Sequence, residues 1–416
     1  MRDDVSYEIG TYSVDITPPL TIPYLAGDPR HSFFTGIHDP LYACAAVISD
    51  GYRMVALVSI DGIGFSNGLL GKDRDFTDEL KQRIEQATGI PKDCVMLMSG
   101  HIHSTPDTLD FRPLREIPAA LSWLETLSSQ ICQAVSRAAD HKFKARLKVG
   151  KGSAEGLIHN RRDGDELDSE VILLLFESCD QDRCIMLVNY ACHPVIVQVQ
   201  ELVSADFIGS MRTALSSEIA GLEGCLFIQG ACGEINPAVG CTKDFRDVEQ
   251  FGRALANEVM SIYHQIADSG YEALPVQVAA LSQTIQLASR PLPSVEEAYQ
   301  ISEDPAAREE AWWRIREGNS PYTAEIQFIR LGNCIIVGIP GEPMCMMGLA
   351  LKEMFKPLTA VPSGYANGYL GYLASYEDWR QGGYEVELGP WSKVGPESYD
   401  DIMNKISQMK VTLITN

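Results

Sequence analysis

The sequence predicts an α/β protein with a layered, mixed β-sheet and flanking helices. The first observation is a set of short apolar runs without alternation, a pattern typical of strands that are covered on both faces. These runs are Met54–Ile60, Cys94–Ser99, Cys184–Tyr190, Cys225–Ile228 and Cys334–Ile339. The second observation is that segments with helical spacing of apolar residues follow several of the runs, which indicates a layered sheet.

Helical spacing and alternation locate the other elements. Apolar residues recur at helical spacing in Thr77–Ala87, Ala119–Ala139, Asp206–Ile219, Val248–Ile266 and Pro305–Glu317. Two longer runs alternate between apolar and polar residues, Pro275–Leu287 and Tyr322–Leu331, so a mixed sheet is expected. No linker divides the chain, and we therefore expect one domain over residues 1–416, with a helical surface insertion at 291–322.

Composition and charge exclude several classes of partner. The 416 residues carry a formal net charge of −22, which repels nucleic acid backbones and anionic lipid headgroups. No run approaches the roughly 18 apolar residues of a membrane span. The N-terminus has no apolar stretch of the kind found in signal peptides. We expect a cytoplasmic protein that acts on a small-molecule substrate, and whether it forms a homo-oligomer stays open.

Polar residues beside Gly or Pro follow each apolar run. The segments that follow the runs are Asp61-Gly62, Gly100-His101-Ile102-His103, Ala191-Cys192-His193-Pro194, Gln229-Gly230-Ala231-Cys232-Gly233-Glu234 and Pro340-Gly341-Glu342-Pro343. In open α/β sheets, ligands bind at the carboxyl ends of the strands. If these strands are parallel neighbours, their terminal side chains converge on one crevice. The sequence therefore predicts a metal site at the carboxyl ends of the strands.

The residue types at these strand ends match a zinc site. His101 and His103 lie two positions apart, so in extended backbone both face the same side. Each candidate alone has a simpler explanation, such as a hydrogen-bonded loop histidine or, for Glu342, a carboxylate at a helix N-terminus. Together, His101, His193 and Glu342 form the two-histidine, one-carboxylate set common in catalytic zinc sites. Zinc activates water for hydrolysis, while a second histidine can move protons and an arginine or tyrosine can stabilise an oxyanion.

Several segments, taken in order, resemble the catalytic domain of the neutral (non-lysosomal) ceramidases, which are zinc amidases. They are Val14–Pro19, Ser99–Pro106, Asn160-Arg161, Ala191–His193, Gly341-Glu342 and the Gly- and Tyr-rich stretch Gly364–Glu385. The resemblance covers nearly the whole chain. Each segment is short, and their shared order makes the resemblance specific.

The resemblance implies a role for each matching residue. The implied zinc ligands are His101, His193, Glu342 and Tyr372. A phenolate ligand is chemically sensible because a cation at contact distance lowers the pKa of a phenol. His103 is implied to face the substrate and to shuttle protons, and Arg161 and Tyr384 are implied to contact a substrate carbonyl or hydroxyl group.

The chain also departs from the pattern of the family. Asn236 stands where ceramidases have a functionally important serine, and an amide can hydrogen-bond a substrate but cannot act as a nucleophile. From the resemblance we expect the sequence to cover about the extent of the catalytic domain, without a counterpart of the immunoglobulin-like domain of long ceramidases. Asp61, Asn236 and Asp206 are further candidates for substrate binding, although Asp206 also suits the N-terminus of a helix.

Three hypotheses for function follow. The first is a zinc-dependent hydrolase that acts on an amide, or a related acyl bond, of a small polar N-acyl molecule. The second is a true ceramidase that cleaves N-acylsphingosine, which needs an apolar channel for the lipid tails. The third is a non-catalytic metal- or ligand-binding protein on the same scaffold, because a fold does not fix a function.

Overall fold

The computed structural model describes residues 6–415 except 24–25, 27–31, 72, 113, 269–275, 302–307, 310, 313, 316, 317 and 319. Its strands are β1 Tyr7–Asp15, β2 Gly36–Ile37, β3 Tyr42–Ser49, β4 Met54–Ile60, β5 Val95–Ser99, β6 Phe143–Ser153, β7 Ile158–Asn160, β8 Glu170–Ser178, β9 Cys184–Tyr190, β10 Leu202–Val203, β11 Leu222–Gln229, β12 Ile235–Pro237, β13 Val278–Leu287, β14 Tyr322–Leu331, β15 Cys334–Gly338, β16 Glu342–Pro343, β17 Thr359–Ser363 and β18 Tyr372–Leu373. Its longer helices are α1 Phe76–Thr88, α2 Pro118–Asp140, α3 Asp206–Glu218, α4 Phe245–Asp268, α5 Val295–Ile301, α6 Cys345–Met354, α7 Tyr376–Gln381 and α8 Ser398–Thr415.

The predicted fold class is confirmed. Within the described residues, the main sheet has the strand order β11-β9-β8-β6-β1-β3-β4-β5, and a second sheet has the order β13-β14-β15-β17. Parallel pairs, β4 with β5, β9 with β11 and β15 with β17, stand beside antiparallel pairs, so both sheets are mixed. Helices α2 and α4 pack against strands of the main sheet.

Most of the predicted elements lie where the sequence places them. Helices α1 to α4 cover the first four predicted helices, and all five predicted apolar runs are strands with small shifts at their ends. Part of the predicted helix Pro305–Glu317 lies outside the described residues, and its described residues are helical. In the described part of the chain, no helix is both long enough and apolar enough to cross a bilayer.

The main sheet rolls, and this roll brings its two edges together. The Ser59 hydroxyl on β4 donates to the carbonyl of Phe227 on β11 at 2.7 Å. At the end of β11, the Gln229 amide donates to the carbonyl of Gly100, just after β5, at 2.8 Å. Strands that stand at opposite ends of the sheet order therefore end side by side.

The second sheet joins the same region. The Asn189 amide on β9 donates to the carbonyls of Ile228 on β11 and Pro362 on β17, both at 2.9 Å. An isolated bridge pairs Met98 of β5 with Ala366, beyond β17. The five predicted strands are thus not neighbours in one sheet. Their carboxyl ends converge because the rolled sheet and the second sheet meet there.

Candidate metal centre

Two buried histidines are held in the same way on two parallel strand pairs. His101 follows β5, and its Nδ1 lies 2.7 Å from the carbonyl of Ile63, in the loop after the neighbouring strand β4. His193 follows β9, and its Nδ1 lies 2.6 Å from the carbonyl of Cys232, in the loop after the neighbouring strand β11. Because a carbonyl only accepts, Nδ1 carries the proton in both rings, and in the neutral imidazoles Nε2 has a lone pair.

These two lone pairs converge on a carboxylate. The Nε2 atoms of His101 and His193 each lie 3.3 Å from Oε2 of Glu342. Among the described residues, Nε2 of His193 is buried without a hydrogen-bond partner. Three electron-rich atoms at this separation repel one another unless a cation lies between them. The residues therefore fit a metal ion, and a backbone carbonyl on the other ring nitrogen is a usual partner of a ligating histidine.

His103 stands at the edge of the same cluster. Its Nε2 lies 3.3 Å from Nε2 of His101, and one ring nitrogen from each of His101, His103 and His193 lies within 4.8 Å of the others. Its Nδ1 is buried and has no hydrogen-bond partner in the described part of the chain. The expected proximity of His101 and His103 is seen, but not through extended backbone, because His101 has φ of 64°.

Two tyrosines orient the carboxylate of Glu342. The Tyr369 hydroxyl donates to Oε1 at 2.5 Å, and the Tyr365 hydroxyl donates to Oε2 at 3.2 Å. The Tyr365 ring also stacks on the His101 ring, with centroids 3.9 Å apart. Both His101 and Tyr365 have left-handed backbone, with φ of 64° and 55°. Such strained conformations in residues other than glycine are concentrated at functional sites.

Burial and neighbouring charges shift the pKa values of Glu342 and His193. Burial would raise the pKa of the Glu342 carboxyl, but the neighbouring His101 and His193 outweigh burial and hold that pKa well below its usual range. Burial lowers the pKa of His193 to about 4, although Glu342 opposes this shift. A pKa near 4 leaves His193 neutral at neutral pH, which is the form of histidine that binds metals.

Tyr372 lies beside Glu342 because their strands pair. In the parallel pair β16–β18, Glu342 is the register partner of Tyr372. The Tyr372 hydroxyl accepts a hydrogen bond from Nη2 of Arg161 at 2.9 Å. Burial raises the pKa of this phenol well above its ordinary value, and Arg161 opposes that rise. The role of Tyr372 as a metal ligand stays a prediction.

Arg161 is fixed by a buried carboxylate. Its Nε lies 2.8 Å from Oε1 of Glu385, and its Nη2 donates to the carbonyl of Gly233 at 2.8 Å. Arg162 binds the other oxygen of Glu385 at 2.6 Å. Burial would raise the pKa of Glu385, but Arg161 and Arg162 outweigh it and keep the carboxyl ionised. The guanidinium of Arg161 is therefore rigidly oriented toward Tyr372.

The exposed side of the centre carries an aromatic wall. The Tyr384 ring stacks on Trp391 with centroids 4.4 Å apart, and it meets the Tyr372 ring edge-on at 6.0 Å. The guanidinium carbon of Arg161 lies 5.5 Å from the Tyr384 ring centroid. Tyr384 is 47% exposed, whereas Tyr372 is 7% exposed. Tyr384 is therefore the more solvent-exposed ring of this pair.

The three candidates for substrate binding, Asp61, Asn236 and Asp206, have different surroundings in the structure. Asn236 lies beside Arg161, whose Nη1 is 3.5 Å from Oδ1 of Asn236. Asp61 is buried in an ion pair with Arg212 and also accepts from the backbone N–H of Tyr42. Asn236 thus lies beside Arg161 and Asp61 has structural partners, and the use of either residue in substrate binding stays a prediction.

Asp206 also has structural partners. Its carboxylate accepts from the backbone N–H groups of Phe207 at 2.6 Å and Val197 at 3.2 Å. It therefore fastens the start of α3 to the loop that follows His193. No contact between Asp206 and the histidine cluster is seen within the described residues, so its use in substrate binding stays a prediction.

Sequence reasoning missed several residues that complete the centre. Tyr365, Tyr369 and Glu385 lie in the Gly- and Tyr-rich stretch that was singled out, but its pattern does not tell which rings face inward. Gln229 ends β11 just as other polar residues end the neighbouring strands. Its position at a strand end is the sequence feature that could have identified Gln229. An amide is not a usual metal ligand, so this feature did not make Gln229 a candidate.

The fold and the buried histidine–carboxylate cluster define an α/β protein with a candidate metal centre. The fold is that of neutral ceramidases. The neutral ceramidase from Pseudomonas aeruginosa matches 99% of this chain over 75% of its own, with a TM-score of 0.79 and 19% identity. A solved structure of a ceramidase complexed with C2 matches 99% of this chain over 76% of its own, with a TM-score of 0.80 and 17% identity. The resemblance read from the sequence is confirmed at the level of the fold.

Sequence comparison adds a local match. A neutral ceramidase from Mycobacterium tuberculosis is 32% identical over 74 residues, which make up 16% of this chain and 12% of that protein. No protein-family model matches the chain. Most of the length of this relative therefore lies outside the match, so its activity does not transfer directly to this chain.

Proposed function

We propose that the protein is a zinc-dependent hydrolase that cleaves an amide, or a related acyl bond, of a small polar N-acyl compound. The observation that carries this proposal is the convergence of Nε2 of His101 and His193 on the Glu342 carboxylate, each 3.3 Å from Oε2. Nitrogen and oxygen ligands without thiolates, with a position left for substrate, are typical of catalytic zinc. The similar solved structures are named ceramidases, which supports hydrolysis of an N-acyl bond.

The side chains around the cluster suit acyl-bond hydrolysis. When bound, zinc polarises a carbonyl group and makes water a nucleophile near neutral pH. His103 holds a ring nitrogen without a partner among the described residues, and it can move a proton between the nucleophile and the leaving amine. Arg161 and Tyr384 line the exposed side, where their N–H and O–H groups can stabilise an oxyanion.

The proposed substrate is small and polar for two reasons. The net charge of −22 disfavours work at an anionic lipid surface. Asn236, beside Arg161, offers an amide that hydrogen-bonds polar groups in place of the serine of the ceramidase pattern. Cleavage of N-acylsphingosine is the alternative, and the names of the similar structures favour it.

The decisive test measures metal content and substrate range together. We expect about one zinc per chain after purification, loss of activity on chelation and recovery on addition of zinc. N-acetyl amino acids, N-acetyl sugars and a short-chain ceramide serve as parallel substrates, and we expect turnover of a polar compound to exceed that of the ceramide. Faster turnover of the ceramide would favour the alternative. A protein that binds no zinc and hydrolyses none of them would contradict the proposal.

A substitution of His103 tests its assignment to proton transfer. We expect His103→Ala to lower kcat by about 10²-fold, because a positioned proton-transfer group contributes at least this much. Zinc content should stay unchanged, since His103 is not among the proposed ligands. Both quantities are measured on the same preparation. Loss of zinc from His103→Ala would show instead that His103 is a ligand.

A further inference from the structure

We infer that Gln229 is a positioning residue that sets the geometry of both histidine ligands, an inference that rests on the proposed metal centre. Gln229 is the last residue of β11 and is fully buried. Its side chain lies between the two loops that carry His101 and His193. These loops follow β5 and β9, which belong to opposite halves of the rolled sheet.

The amide of Gln229 uses its full hydrogen-bonding capacity. Its Nε2 donates to the carbonyls of Gly100 at 2.8 Å and Cys192 at 2.9 Å. Its Oε1 accepts from the backbone N–H groups of Gly230 at 3.1 Å and Cys192 at 3.3 Å. Only one orientation of the amide satisfies these partners, because carbonyls accept and backbone N–H groups donate.

The two carbonyls are those of the peptide groups that lead into the histidines. The Gly100 carbonyl belongs to the peptide bond with His101, and the Cys192 carbonyl belongs to the peptide bond with His193. Each bond to Gln229 therefore limits rotation of the backbone next to a ligand. On the other side, the ring of each histidine is held through Nδ1 by the carbonyl of Ile63 or Cys232.

No other residue type reproduces this arrangement. Methionine has a similar length but leaves two buried carbonyls without donors, and glutamate would turn an oxygen toward them. Asparagine keeps the amide but is one methylene shorter, so it cannot reach both loops. A change at Gln229 should therefore loosen the histidines without removing any ligand atom.

The test compares zinc affinity of metal-free protein, measured by competition with a chelator. We expect Gln229→Met to weaken zinc binding by about 10- to 100-fold, the range for loss of a group that orients a ligand. The zinc affinity of Gln229→Asn should lie between those of Gln229→Met and the wild type. If Gln229→Met does not fold, the affinity of Gln229→Asn tests the inference instead. Ser59→Ala is the control, because it removes another tie between the same sheet edges and touches neither histidine loop.

A second readout separates positioning from general loss of stability. With Co²⁺ in place of zinc, the visible absorption bands should shift in Gln229→Met and stay unchanged in Ser59→Ala, because these bands report ligand geometry. Unchanged zinc affinity and unchanged bands in a folded Gln229 variant would overturn the inference. A wild-type protein that binds neither Zn²⁺ nor Co²⁺ would overturn the proposed metal centre instead, so the two failures are distinguishable.

Discussion

The His193→Ala variant is expected to lose both its metal and its hydrolase activity. His193 is buried, its Nδ1 is held by the carbonyl of Cys232, and its Nε2 points at Glu342. Loss of a group that only orients a ligand weakens metal binding by about 10- to 100-fold, so loss of a ligand should exceed this. A metal supplies several kcal/mol of transition-state stabilisation, so we expect kcat/KM to fall by about 10³-fold or more.

The matched control for His193 is an exposed histidine. His264 lies on α4, on the surface, and its described contact is with the adjacent Tyr263 ring. His264→Ala should keep the zinc content and the kinetic constants of the wild type. Zinc content by atomic absorption and kcat/KM on the preferred substrate decide between the outcomes. A His193→Ala protein with full zinc and full activity would contradict the proposed centre.

Replacement of Arg161 should give the second largest effect. Arg161→Met removes the hydrogen bond to the Tyr372 hydroxyl at 2.9 Å and a cation on the exposed side of the centre. Loss of one preorganised donor to a developing oxyanion lowers kcat by about 10²–10³-fold. Zinc content should change little, since Arg161 contributes no ligand atom.

Arg162 provides an internal control for Arg161. Both arginines bind Glu385, through Oε2 at 2.6 Å for Arg162 and through Oε1 at 2.8 Å for Arg161. Arg162→Met therefore disturbs the same carboxylate, but no contact with Tyr372 is seen for Arg162 within the described residues. We expect Arg162→Met to retain most of kcat. Equal losses in the two variants would assign the effect to Glu385 rather than to a direct role of Arg161.

The local pattern of apolar residues predicted many of the strands and helices. How these elements come together depends on the topology of the sheets, which the local pattern does not show. Met54–Ile60 and Cys184–Tyr190 are strands with the predicted bounds, because continuous apolar runs identify buried strands without knowledge of their neighbours. Strand β8, Glu170–Ser178, has the same apolar character and was not predicted, since no polar motif at its end drew attention to it. The roll of the sheet depends on contacts such as Ser59 with Phe227, which no local pattern encodes.

In the candidate site, too, some residues could be predicted from the sequence and others could not. His101, His193 and Glu342 could be selected from the sequence because their residue types are chemically unusual at strand ends. The partners that orient them, including Gln229 and Tyr369, are common residue types whose role comes only from contacts over long sequence separations. Asp61 was chosen by the same strand-end pattern, and in the structure its carboxylate pairs with Arg212.

The rolled sheet has a consequence for the way the chain could acquire an ion. The two histidines follow strands in opposite halves of the main sheet, and Glu342 follows a strand of the second sheet. A nascent or partly opened chain that lacks any one of these three pieces offers an incomplete set of donors. The ion would therefore bind late in folding. Its binding would stabilise the arrangement of both sheets, not only that of a single loop.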